Sequence, residues 1–270
     1  MPVQGISPNS NLITLGRGGL LLDRLSSAGA LQGFNHAGDC DQISMSPTIE
    51  KITHNSSLSG VSTVYAEILK STTWNITVRG FEMSKKNMAL MMMGDEADFI
   101  QAADAAIADA ALASAEIARL GGIYDTGHRN ITVTGVNQGA TALVEGVDYE
   151  VFSADAGLIR ILPGSLTFVP ATAVTWSGSA EAIAAGDLTV INGGTQGQIG
   201  CKGIYISDNP AGPQQELRFW KASLTPSGDF GFIAADTPIS FTLTGVLQDD
   251  SAGNYGGSVQ FPTHRLFYKG

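Results

Sequence analysis

Between Gly38 and Asp95 the sequence runs through two long apolar/polar alternations, breaks at a polar tip, and ends in a methionine-rich stretch. Ile43 and Met45 alternate with Ser44 and Ser46, and Trp74, Ile76 and Val78 alternate with Asn75, Thr77 and Arg79. Successive side chains of an extended chain point to opposite faces, so this period of two residues predicts half-buried strands. Val64, Ala66 and Ile68 make a third run of the same kind. Between the outgoing strand and its return lie His54, Asn55, Ser56, Ser57, Leu58, Ser59, Gly60, Val61, Ser62 and Thr63. With only Leu58 and Val61 as sizeable apolar side chains, the stretch is too long for a two-residue hairpin turn and predicts an exposed loop.

A short helix should follow. Ser84 can cap the free amides of a first turn, Met88, Met91 and Met92 fall at helical spacing on one face, and Gly94 suits the left-handed residue that ends a helix. The methionine face is expected to pack on the sheet rather than form a partner groove.

This order of parts resembles the major tail tube protein of long-tailed (siphovirus-type) bacteriophages: a glycine turn, a polar strand reaching a His-x-Ser-x-x-Ser-Gly tip at His54 to Gly60, return strands, then an apolar helix closed by Gly94. The resemblance continues in LVEGVDYEVFSADAGLIRILPGS at 143–165, in GIYISDNPAGPQQELRFWKASLTPSGDFGFI at 203–233 and in ISFTLTGVLQD at 239–249, and so covers most of the chain. It implies a mainly β fold, an antiparallel β-sandwich or barrel of the phage tail tube type with one short packed helix and an inserted small β-domain. It also implies a homo-oligomer, a hexameric ring stacked into a tube, with tape-measure, tail terminator and baseplate or tail tip proteins as partners. Genomic DNA would pass through without specific binding, and the protein would be found in the virion tail after assembly in the host cytoplasm.

Domain limits follow from the pattern. Residues 1–37 hold Pro2, Pro8 and one apolar run, LLLDRL at 20–25, flanked by glycines. They are expected to be an N-terminal arm, docked through Leu20, Leu21, Leu22 and Leu25, and in the family such arms reach a neighbouring subunit. The core would comprise 38–122 and 180–270, with 123–179 as an inserted outer β-domain of short strands around Ile131, Tyr149, Ile159 and Trp176. Residues 97–120 are alanine-rich, and propensity predicts a helix, although Ile107, Leu112, Ile117 and Leu120 make no clean helical stripe and the family has extended chain there.

Charge excludes one class of function. The net charge of −10, from 25 acidic against 15 basic residues, offers no cluster of Lys and Arg to neutralise phosphates, so direct nucleic-acid binding is not expected. Acidity is compatible with a channel whose carboxylates repel a passing duplex. No run approaches the length of a membrane helix, no leader is evident, and Cys40 and Cys201 are widely separated, which predicts unbridged thiols and no membrane partner.

Chemistry is expected to be absent. His36, Asp39, Cys40 and Asp41 are close in sequence, but their spacing matches no zinc or calcium motif and a turn before a strand explains them. The glycine-rich 193–200 segment lacks the Lys-Ser/Thr ending of a phosphate loop. No nucleophile elbow is present, so neither enzyme activity nor a cofactor is predicted. Two rival readings remain: the tube of a contractile tail or type VI secretion apparatus, and a carbohydrate-binding β-sandwich of a tail fibre with Trp176, Trp220 and Tyr255 clustered on one exposed face. The 143–165 segment favours the non-contractile tail over the first rival, since a sheath leaves less room for an outer domain.

Overall fold

The computed structural model describes residues 14–26, 28–56 and 63–269. It is mainly β, with antiparallel sheets and one α-helix among the described residues. In chain order come β1 (Gly18–Leu25), β2 (Leu31–His36), β3 (Cys40–Ser56), β4 (Thr63–Gly80), α1 (Lys85–Met91) and β5 (Asp95–Asp98). Then follow β6 (Asp104–Ala113), β7 (Ile123–Asp125), β8 (Ile131–Gln138), β9 (Thr141–Leu143), β10 (Tyr149–Ser153), β11 (Leu158–Ile161) and β12 (Val174–Ala180). Last are β13 (Thr189–Asn192), which pairs with β5, and β14 (Ile199–Ser207), β15 (Gln214–Pro226), β16 (Phe241–Leu247) and β17 (His264–Lys269). The chain divides into two compact units, one of residues 1–96 and 191–270, the other of residues 97–190.

The first unit is an eight-stranded sheet in the order β2-β1-β14-β15-β16-β4-β3, with β17 also on β15. Strand β15 serves two partners in succession: Gln214–Phe219 pairs with β17 and Ala222–Pro226 with β16. One face of the sheet is apolar. Leu20, Leu22, Ile76, Val78, Ile199, Cys201, Phe219, Leu224, Phe241 and Leu243 are almost wholly buried there, together with Leu90 and Met91 of α1. Each large aliphatic side chain so covered contributes on the order of 1.5–3 kcal/mol. Gly203 is required by this packing, because a Cβ there would lie 2.0 Å from the Phe219 ring.

Helix α1 starts as its sequence predicts, with Ser84 Oγ accepting the amide of Asn87 at 3.2 Å. The face it buries is different from the expected one. Asn87, Ala89, Leu90 and Met91 are covered while Met92 is exposed. Asn87 shifts the seam: its Nδ2 donates to Ala37 O at 2.9 Å and Glu82 O at 2.8 Å, which turns that side of the helix inwards. Met93, at φ 48°, takes the left-handed position expected for Gly94. Gly94 is needed for another reason, since a Cβ on it would meet Asn192 O at 2.2 Å.

Two expectations for the flanking segments are corrected. Residues 18–36 are not an arm reaching outwards but β1 and β2, with β1 hydrogen-bonded to β14 from Gly18 to Arg24. Leu20, Leu22 and Leu25 lie in the unit's own interior and Leu21 is half-buried. They dock intramolecularly because β14 would otherwise leave a core strand with an open edge. Residues 97–120 are not helical. Strand β6 pairs with β12, placing Ala110 beside Trp176 and Ala113 beside Val174. Alanine's helix preference is worth less than about 1 kcal/mol per residue, and here the small side chains leave room for a fully buried indole.

The second unit joins the sheets β6-β12-β8-β9 and β10-β11-β7 over one core, in which Trp176, Val136, Ile159, Ile161, Val174, Tyr149 and Phe168 are buried. Strand β12 alternates strictly, Val174, Trp176, Gly178 and Ala180 being covered. The unit begins and ends outside the 123–179 limits, because β6 supplies a strand to its larger sheet.

Candidate functional site: the β3–β4 hairpin

Strands β3 and β4 form a hairpin far longer than the sheet that holds it. They pair from Cys40↔Gly80 out to Ser56↔Thr63, whereas β16 accompanies β4 only from Asn75 to Gly80. From Trp74 outwards, β4 is hydrogen-bonded to β3 alone, giving a two-stranded ribbon about 35 Å long at the usual rise per residue. The sequence's second and third alternating runs are therefore one strand. The expected loop is correspondingly shorter: His54, Asn55 and Ser56 end β3, and Thr63 opens β4. Ser57, Leu58, Ser59, Gly60, Val61 and Ser62 lie outside the described residues.

At the base the hairpin is well anchored. Ile76 and Val78 are buried in the core, the Trp74 ring meets His264 edge-on at 4.6 Å, and Asn75 Nδ2 donates to Thr48 Oγ1 at 2.9 Å. Burial holds the His264 imidazole below its ordinary pKa. Further out, no buried core cluster among the described residues includes the ribbon. Ile49, Ile52, Val64, Tyr65, Ile68 and Leu69 are each between 52% and 75% exposed. Ile52 and Ile68 face each other directly, and the His54 and Tyr65 rings meet edge to face. Two of the ladder's three register shifts lie in this outer part, where β4 carries Lys70 and Tyr65 as extra residues against β3. Bulges sharpen the twist of a ribbon and re-aim its side chains.

The charges of this hairpin cancel. Asp41, Glu50 and Glu67 are matched by Lys51, Lys70 and Arg79, giving residues 40–80 no net charge in a chain of net −10. They also pair across the strands: Lys51 Nζ lies 2.7 Å from Glu67, Lys70 Nζ 3.1 Å from Glu50, and the Arg79 guanidinium on Asp41 holds that carboxyl below its usual range. Exposed pairs of this kind add at most about 1 kcal/mol each. Their larger consequence is that a second copy can approach the ribbon without long-range repulsion.

Both outer strands leave ladder groups open. On the far side of β3 and of β2 no strand pairs among the described residues. β2 is exposed along its length, with Leu31 and Phe34 in solvent. Sequence reasoning pointed to the tip of the hairpin and missed the exposed apolar shaft. The available signal was the length of alternation, which runs beyond what one neighbouring strand can accompany.

The remaining candidates take other roles. His36 Nδ1 accepts the amide of Gly38 at 2.9 Å, and Asp41 is engaged by Arg79. Cys40 and Cys201 are free thiols, raised to about 11 and about 12, both chiefly by burial. Trp176 and Trp220 are buried, in different units, so the exposed aromatic face required of a carbohydrate binder is not formed by them. The acidity is also unevenly placed. Residues 97–190 hold 11 acidic and 3 basic side chains, −8 of the net −10, which leaves the hairpin's unit nearly neutral.

A mainly β chain with antiparallel sheets and a projecting, uncovered hairpin is thus defined. A family model matches residues 13–261, and the chain belongs to that family, described as protein of unknown function UCP028589. No curated protein matches the chain.

Proposed function

We propose that the protein is a structural virion subunit that assembles as stacked rings, hexameric in the tail tube family it resembles, into the tail tube of a long-tailed bacteriophage, the conduit for DNA ejection. The single observation that carries this reading is the β3–β4 ribbon, an apolar, charge-neutral projection with no core of its own. Six large apolar side chains left in water over such a length are a liability for an isolated monomer and an asset for one that polymerises. The open edges of β3 and β2 support the same reading. Joining one copy's edge to a different edge of the next is a heterologous contact, which closes into a ring when its rotation closes, and it satisfies groups that otherwise seed irregular aggregation. On this reading the protein is not an enzyme and needs no cofactor. Its partners are further copies of itself, the tape-measure, terminator and baseplate or tail tip proteins, and DNA in transit without specific binding, in a virion tail assembled in the host cytoplasm.

Electron microscopy of the purified full chain tests it. Rings or tubes are expected, and their loss in an Ile52→Ser/Ile68→Ser variant that melts like the parent. Discrete monomers or trimers under all conditions would overturn the reading.

A further inference from the structure

The 97–190 unit has two ends, and they differ. At one end the chain enters and leaves, with Gln101 bridging Ile183 and its side-chain amide donating to Arg129 O and Glu181 O. The register puts the opposite ends of the strands together, Ala113 beside Val174 and Ile161 beside Tyr149, and hydrogen bonds from Leu162 N to Asp148 O and from Ser165 Oγ to the Asp148 carboxylate bring 144–148 to the same place. Loops 114–122, 144–148 and 162–173 therefore gather at the far end. They hold Ile117, Leu120, Val144, Val147, Leu166 and Val169 in solvent, Leu166 at 99% exposure.

These loops are fixed from beneath by buried polar side chains. Asp148, 1% exposed, accepts from Ser165 Oγ and from Val144 N at 2.9 Å. Ser165 Oγ in turn accepts Phe168 N at 3.0 Å. Gln138 takes Val169 N on its oxygen and gives its amide to Val169 O, both at 2.8 Å. Tyr124 hydroxyl donates to Ile117 O and accepts Arg119 N, while Ala171 N reaches Ala118 O. Buried polar groups fully satisfied within the loops rigidify them, so the apolar side chains are presented in a set arrangement and little ordering remains to be done on binding.

We infer that this loop end is a docking surface for a basic, apolar-faced segment of another protein. Charge selects the occupant. The unit carries net −8, and within the loops the exposed charges are Glu116 and Glu145 against Arg119. The same unit of a second copy would bring the same sign of charge, and an anionic lipid surface would be repelled likewise. The six exposed residues include no aromatic ring on which a sugar could stack. An amphipathic segment with Lys or Arg beside Leu or Ile matches both the apolar loops and the field around them. This inference is independent of ring assembly, since it concerns residues of the other unit.

The test titrates the full chain with a labelled synthetic amphipathic helix of leucine and lysine, beside a leucine–glutamate peptide with the same apolar face and a serine–lysine peptide with none. The leucine–lysine peptide should bind, more weakly as salt rises, and about tenfold more weakly to a Val147→Ser/Leu166→Ser variant of unchanged melting temperature. Both positions are solvent-exposed, so the variant should fold. Equal binding of the leucine–glutamate or serine–lysine peptide would overturn the inference, as would an affinity indifferent to the variant. Self-association, or adsorption to anionic vesicles, that disappears in the variant would overturn it in favour of a second copy or of lipid.

Discussion

The inner and outer halves of the β3–β4 hairpin are written in the same alternating pattern and meet opposite environments. Ile76 and Val78 sit at 1% and 0% exposure in the core cluster, with β16 beside them, whereas Ile68 and Val64, on the same strand, are at 60% and 63%. The strand does not change; what lies beside it does. β16 ends its pairing at Asn75, and from there outwards β4 has β3 alone beside it among the described residues. Alternation thus reports that a strand has an apolar face, while the neighbours determine whether that face stabilises the subunit or is left for a partner.

Substitutions should separate the two halves by energy. Ile76→Ala is expected to lower the subunit's unfolding free energy by about 2–4 kcal/mol, by loss of buried surface and creation of a cavity, read by chemical denaturation. A wild-type midpoint in that variant would mean that the inner half is no more core than the outer. Next in size, Ser84→Ala should lower stability by about 1 kcal/mol through the lost helix cap, since α1 packs on β15 and adds Leu90 and Met91 to the core that holds the inner half. Proteolysis should then cut near residues 84–87 before it cuts β4.

A smaller loss should accompany mild acid. Burial lowers the folded pKa of His264, so its unfolded form binds the proton more readily; stability is full above the ordinary value of 6.5 and declines as pH falls through it towards the folded value. Melting at about pH 7.5 and about pH 5.5 should differ more in the parent than in His264→Gln, because the ring anchors Trp74 where the ribbon leaves the sheet. An equal decline in both would place the acid sensitivity elsewhere. The smallest effect on the subunit belongs to the outer half: Ile68→Ser should stay within about 0.5 kcal/mol of the parent, and yet, on the proposed function, abolish tubes. Loss of subunit stability comparable to that of Ile76→Ala would show that the ribbon is covered in the isolated chain.

The acid side chains repeat the lesson in another currency of interaction. A net −10 read from composition is compatible with a carboxylate-lined channel, but composition carries no address, and the fold assigns −8 of it to residues 97–190. Asp148 shows how far local context governs a single carboxylate. It lies buried under a loop, where the Ser165 hydroxyl and then the Val144 amide hold it below the ordinary carboxylate range. Its stabilising share should therefore persist above about pH 3.8 and disappear only as pH falls below that, through the depressed folded value.

By itself the sequence determined what depends on neighbours along the chain: the alternation of β3, β4 and β16, the cap at Ser84 and the mainly β character. These follow from backbone periodicity and local hydrogen bonding, which a linear pattern records. Only the tertiary structure decided that the alanine-rich 104–113 segment is a strand, because its choice rests on pairing with β12 more than sixty positions away and on the space required by Trp176. Only the tertiary structure drew Leu20, Leu22 and Leu25 into their own core, since β14 lies far along the sequence from them. And only the tertiary structure distinguished the buried from the exposed half of one hairpin, because coverage is supplied by other strands and leaves no mark in the pattern of the strand that is covered.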